Sequence, residues 1–161
     1  GLGQRHITVS TSGVIPGIER LTSLRRQYKL AVSLHAARPE LRDVLVPLNR
    51  KYPLEDVVAA ATDYADATGR RITYEMVMID GINDTPADAH RLADLLRPIR
   101  AKINLIPFNA HAGCRYQCPH ETTIQAFQRI LVDRRYTAII RQSKGREISA
   151  ACGQLRARAR K

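Results

Sequence analysis

An α/β fold of about five mostly parallel strands alternating with helices is what this sequence predicts, and three observations predict it. Short β-branched runs take turns with longer stretches whose apolar residues recur every three or four positions. Proline or glycine punctuates most of the changes from one pattern to the other. Alternation of this kind over a whole chain builds right-handed βαβ crossovers, and therefore a parallel sheet.

The elements follow in order. Ile7-Thr8-Val9-Ser10-Thr11 reads as a strand that breaks at Ser12-Gly13. Pro16 opens a helix with Ile18, Leu21 and Leu24 along one face. Lys29 to His35 is a second strand, followed by a helical turn over Glu40–Val44. Pro53 starts a longer helix whose apolar stripe is Leu54, Val57, Val58, Ala61, Tyr64 and Ala65, and Gly69 stops it. Ile72 to Ile79 is the third strand; Thr85 and Pro86 are an N-cap and first position for the next helix, which Pro98 ends. Ala101 to Pro107 is the fourth strand. An irregular loop from His111 to His120 leads to a helix with Ile124, Phe127, Ile130 and Leu131 inward. Tyr136 to Arg141 is the fifth strand. The strands read as near-continuous apolar runs, the pattern of a sheet covered on both faces. Five strands are too few to close an eight-stranded barrel, so the sheet is expected to be an arc or incomplete. No internal boundary or low-complexity linker appears: residues 1–155 form one unit and 156–161 a basic tail.

Composition narrows the function. The 161 residues carry 26 Lys and Arg against 15 Asp and Glu, a net +11, which favours polyanionic partners, above all nucleic acid. Two Phe, six Tyr and no Trp argue against an open platform that stacks successive bases. Three cysteines, Cys114, Cys118 and Cys152, are too few and too unevenly spaced for a disulfide framework, which points to a reducing, cytoplasmic compartment. No run is long enough for a membrane span. The start at Gly1-Leu2-Gly3, without methionine and close to a strand, points to a piece of a longer protein.

Polar groups recur at the C-terminal ends of the strands: Ser10 and Ser12, Ser33 and His35, Asp80, Asn109, then Gln142 and Ser143. Barrel and open α/β folds bind ligands at that edge. Any one of these residues serves equally well as a cap or loop hydrogen bond; four consecutive strands ending this way is the stronger observation. Near the C-terminus, Ala150-Ala151-Cys152-Gly153 sets one thiol among very small residues, with Arg146 and Arg156 on either side. Small neighbours leave room for a bulky group, and positive charge favours the thiolate, although a lone cysteine is most simply a small buried hydrophobe. The loop His111–His120 holds two cysteines and two histidines, but their spacing matches no common zinc site, and two thiols are too few for an iron–sulfur site. No metal ligand is assigned.

Four segments carry a resemblance: Val9-Ser10-Thr11-Ser12-Gly13-Val14-Ile15-Pro16, Ser33-Leu34-His35, Asn104 to Asn109, and Ala150-Ala151-Cys152-Gly153-Gln154-Leu155. In order and spacing the chain resembles the RlmN/Cfr family of radical-SAM RNA (adenine) methyltransferases. The resemblance implies the C-terminal portion of a partial (β/α)6 radical-SAM barrel. It also implies S-adenosylmethionine (SAM) as cofactor, contacted by Ser10, Ser33, Leu34, His35 and Asn109. Cys152 would be the methyl-carrying residue, its sulfur accepting a methyl group and later releasing an adduct with the base. The implied substrates are C2 of an adenine in large-subunit ribosomal RNA and in certain tRNAs. The family's Cys-x3-Cys-x2-Cys motif for its 4Fe–4S cluster is not in this chain, nor is its Gly-Glu-Pro segment or N-terminal domain. The cluster is therefore expected only in the full-length protein, and this chain alone is expected to be inactive. The competing expectation is a basic, non-catalytic RNA-binding remnant of the same fold.

Overall fold

The computed structural model describes residues 1–97, 99 and 101–142. Five strands, β1 (Thr8–Thr11), β2 (Lys29–Ser33), β3 (Thr73–Met78), β4 (Lys102–Pro107) and β5 (Thr137–Ile140), alternate with five helices. The helices are α1 (Ile15–Ser23), α2 (Pro39–Leu45), α3 (Leu54–Thr68), α4 (Pro86–Leu95) and α5 (Glu121–Asp133). Short 3-10 turns at Gln4–His6 and Pro47–Arg50, which periodicity does not announce, complete the set. Prolines open α1, α2 and α4, where a missing N–H costs nothing. Thr85 caps α4 in a reciprocal box: its hydroxyl oxygen accepts from the Asp88 amide, and the Asp88 carboxylate accepts from the Thr85 amide. Gly69 closes α3 with φ of 68°, in the left-handed region that a residue without Cβ enters freely. Arg25 after α1 (φ 47°) and Arg135 after α5 (φ 68°) adopt the same region despite their side chains.

All neighbouring strands are parallel, in the order β1-β2-β3-β4-β5. Right-handed crossovers between sequential neighbours place α1, α3, α4 and α5 on one side of the sheet. A single core results. Val32, Tyr74, Met76, Ile103, Leu105 and Ala138 face Ile18 of α1, Val57 and Tyr64 of α3, Leu92 of α4 and Phe127 of α5. Full burial of a side chain the size of Leu or Phe stabilises by about 1.5–3 kcal/mol, so this layer supplies most of the cohesion. The Tyr64 hydroxyl, though central, donates to the Tyr28 carbonyl at 2.7 Å.

Coverage of both faces, expected from the apolar runs, is not what the described residues show. Every second residue points away from the helices, and the register aligns Ser33 with Glu75 and Glu75 with Asn104 in one polar row. Ser33 and Glu75 are half-buried there, whereas Asn104 is only 3% exposed. The runs looked continuous because Val77, Ile106 and Ile139 share this second face with the polar residues.

Candidate cofactor and active site

At the C-terminal ends of β1 and β2 the backbone is organised by a buried cation. Arg42 of α2 is fully buried, and no carboxylate pairs with it among the described residues. Its Nε donates to the Leu34 carbonyl at 3.0 Å, one terminal nitrogen to the carbonyls of Ser12 (2.6 Å) and Ser33 (3.1 Å), and the other to Asn49 Oδ1 (3.1 Å). Asn49 in turn donates to Asp43 Oδ1 at 2.7 Å and to the Pro39 carbonyl. One guanidinium fork thus ties the ends of two strands together, using the planar donor set that only arginine offers. Burial pulls its pKa down from the ordinary arginine value. Gly13 lies against this fork with φ of 116°; a Cβ there would come within 2.9 Å of Val57 and 3.3 Å of the Arg42 guanidinium.

The ends of β2 and β3 are joined through His35 and Asn83. His35 adopts a left-handed φ of 61° just past β2. The Val77 amide donates to its Nδ1 at 3.1 Å, so the neutral ring carries its proton on Nε2. Burial, reinforced by the Arg42 charge, lowers its pKa to about 4. Asn83, 1% exposed, accepts from the Ile79 amide (2.8 Å) and donates to the carbonyls of His35 (2.8 Å) and Val77 (2.7 Å). All three of these contacts are backbone groups that a strand end would otherwise leave to water.

The residues singled out from sequence come to one edge but do not close a pocket. Ser10 and Ser33 lie on the polar face, offset by two positions along the strand direction, because Ser10 pairs with Ala31. Ser10 is exposed and Ser33 half-buried. Leu34 has no exposure: its side chain points into the core, its amide donates to the Glu75 carbonyl and its carbonyl accepts from Arg42, so the structure leaves no part of it open to a ligand. Asn109 follows β4 and is half-buried, beside Phe108, whose ring meets Tyr116 edge-on at 6.1 Å. Ser143 and Cys152 lie outside the described residues. An open cleft of about 590 Å³ sits nearby, at the ends of β3, β4 and β5, lined by Asp80, Cys118, His120, Glu121 and Gln142. The loop that roofs it is pinned where the Asp80 amide donates to the Gln117 carbonyl at 2.9 Å.

The residues present fit SAM better than they fit a metal cluster. Hydroxyls of Ser10 and Ser33, the carboxamide of Asn109 and the imidazole of His35 form a neutral hydrogen-bonding set. His35 stays uncharged at neutral pH, so it does not repel a sulfonium ligand. For a 4Fe–4S cluster the donors do not match: no group of three or more His, Cys, Asp or Glu side chains converges among the described residues. Cys114 and Cys118 are half-buried, with no third cysteine beside them among the described residues. Sequence reasoning missed Arg42 and Asn83. Arg42 interrupts an apolar helical pattern without any motif, and Asn83 sits in an Asp-Gly-Ile-Asn-Asp string that reads as an ordinary turn.

Comparison with known proteins bears on the family and the fold. The Radical SAM superfamily profile matches residues 1–95. The chain is 50% identical over its whole length to the dual-specificity RNA methyltransferase RlmN of Azorhizobium caulinodans, covering 40% of that protein. It is 51% identical to the protein of the same name from Methylobacterium radiotolerans, covering 38%. It thus spans roughly two fifths of the length of these curated relatives. The crystal structure of a radical SAM methyltransferase from Sphaerobacter thermophilus superposes with a TM-score of 0.91 at 50% identity, over 95% of this chain and 45% of that one. A domain of pyruvate-formate lyase-activating enzyme from Bacteroides vulgatus, 18% identical with a TM-score of 0.65, shares the fold. With a superfamily match over more than half its length and a single-wound parallel sheet to support it, the chain belongs to the radical SAM superfamily.

Proposed function

We propose that this chain is the C-terminal part of an RlmN-like RNA methyltransferase that methylates C2 of adenine in large-subunit ribosomal RNA and in tRNA. The observation that carries the reading is the identity of about 50% to RlmN proteins along the entire chain, a span that includes Cys152. The strand-end edge supports it chemically. Ser10, Ser33, His35 and Asn109 would bind and orient SAM, and Leu34 anchors the strand end beneath them. SAM supplies an electrophilic methyl group. The Cys152 thiol, with Arg146 and Arg156 nearby in sequence to favour its thiolate, would be the nucleophile that takes this methyl group. Arg42 and Asn83 hold the edge in place without touching the ligand. The cluster is held by segments of the full-length protein outside these residues, so the chain by itself does not turn over.

Peptide mass spectrometry of the full-length protein tests the assignment. Cys152 carries a methyl or methylene increment after expression; Cys114 and Cys118 do not. Cys152→Ala abolishes RNA methylation, while Cys114→Ser with Cys118→Ser leaves it largely intact. An intact cluster with a permanently unmodified Cys152 would sink the methyl-cysteine mechanism, and a full-length protein without a cluster would favour the non-catalytic RNA-binding remnant.

A further inference from the structure

We propose that the opposite end of the sheet, built from the N-terminal ends of the strands and the loops that enter them, is a second RNA-binding surface that grips the phosphate backbone of a structured RNA. The proposal rests on the RNA-substrate reading above and adds to it a face remote from the proposed SAM edge. The topology gathers basic residues there. The loop from α1 to β2 contributes Arg25 and Arg26, β2 begins with Lys29, the loop from α3 to β3 contributes Arg70 and Arg71, and Arg134 and Arg135 precede β5. Asp66, Asp94 and Asp133 are the acidic groups in the closing turns of these helices, and Asp94 is already bridged by Arg97 and Arg134.

Two further observations separate this face from a merely solvated surface. Arg25, Arg26, Lys29 and Arg135 are exposed, and their side chains make no hydrogen bond or ion pair among the described residues. Arg42, Arg38 and Arg91, by contrast, are engaged: Arg42 holds carbonyls, and Arg38 and Arg91 both pair with Asp88. In addition, Arg25 and Arg135 occupy left-handed backbone positions, whereas the corresponding turn after α3 uses Gly69. A Cβ is disfavoured in that region, so two arginines sit there at the expense of folding, and strain of this kind marks function. Planar guanidinium forks match phosphate oxygens, and the scarcity of aromatics makes backbone contact the mode rather than base stacking. The sheet is only about 20 Å from end to end, at ~3.3 Å per residue, so one folded RNA reaches both its ends.

Fluorescence anisotropy of the 161-residue chain with a labelled RNA hairpin, from 50 to 200 mM KCl, tests the proposal. Two variants of equal charge loss are compared. One replaces the face (Arg25→Asn, Arg26→Gln, Lys29→Gln, Arg135→Asn); the other replaces the tail (Arg156→Gln, Arg158→Gln, Arg160→Gln, Lys161→Gln). The face variant shallows the slope of log affinity against log salt by about three units, at roughly 0.7–0.9 per lost phosphate contact, and the tail variant by less. Its melting temperature stays within about 2 °C of the parent or rises, since asparagine tolerates the left-handed region. An equal or larger loss in the tail variant overturns the location and leaves the RNA reading standing. Tighter binding to phosphatidylglycerol vesicles than to the hairpin overturns the partner. A parent chain that binds no RNA overturns the proposal, while modification of Cys152 in the full-length protein still judges the methyltransferase reading on its own.

Discussion

Replacing Arg42 by methionine removes the fork that ties β1 to β2 while keeping an apolar stem of similar length. Four hydrogen bonds from a charged donor disappear, three of them to main-chain carbonyls at Ser12, Ser33 and Leu34. Bonds to a charged group are worth about 1.5–3 kcal/mol each, a gross loss of roughly 6–12 kcal/mol. Against this stands the desolvation of a guanidinium, several kcal/mol, which the variant no longer bears. The difference, about 3–5 kcal/mol of destabilisation, is a large part of the ~5–15 kcal/mol that holds a domain of this size. Arg42→Lys restores the charge but not the fork; it recovers about half the loss, because an ammonium cannot reach carbonyls on two strands and Asn49 together. Urea unfolding followed by circular dichroism and extrapolated to water measures both variants. An Arg42→Met protein within about 1 kcal/mol of the parent would show that the strand ends hold without the cation, and the argument would fail.

Two other outcomes follow from the same edge. Because the His35 pKa is about 4 in the folded chain and near 6.5 when unfolded, only the unfolded state binds this proton between those values. Stability contributed by the neutral ring is therefore full above pH 6.5 and is lost as pH falls towards 4, by up to about 3 kcal/mol; His35→Asn flattens that part of a urea-midpoint profile. Asn83→Ala leaves the Ile79 amide and the carbonyls of His35 and Val77 without their side-chain partner and costs about 2–4 kcal/mol. Asn83→Asp costs at least as much despite equal size, since it sets a carboxylate against two carbonyls. A thermal scan that ranked Asp above Ala would contradict those hydrogen bonds.

The backbone plan was largely legible in the residues, because its signals are local. Pro16, Pro86 and Gly69 punctuate α1, α4 and α3 as expected, and each observed strand falls within the run expected for it, trimmed by one or two residues. Pro98, expected to end α4, lies outside the described residues. Polar residues at the strand ends were also visible, since residues that follow a β-branched run reach that edge in any parallel sheet. What the residues concealed depends on contacts distant in sequence. Arg42 reaches Ser12 thirty positions away, and Asn83 reaches His35 across forty-eight. Neither pairing leaves a trace in spacing. The polar second face was hidden for another reason: Val77, Ile106 and Ile139 on it blur the alternation that a half-exposed sheet would show.

The strictly sequential strand order also has a kinetic side. Each ladder joins strands that are consecutive in the chain: Val9 meets Leu30 across 21 residues, and the longest span, from Ala31 to Thr73 over α2 and α3, is 42. Closure entropy grows only as the logarithm of loop length, so the longest of these costs about 0.6 kcal/mol more than the shortest. No pairing among the described strands has to wait for a distant part of the chain. Each helix that docks leaves an open edge ready for the next strand, and the sheet lengthens in the direction of synthesis, with each finished unit serving as the template for its successor.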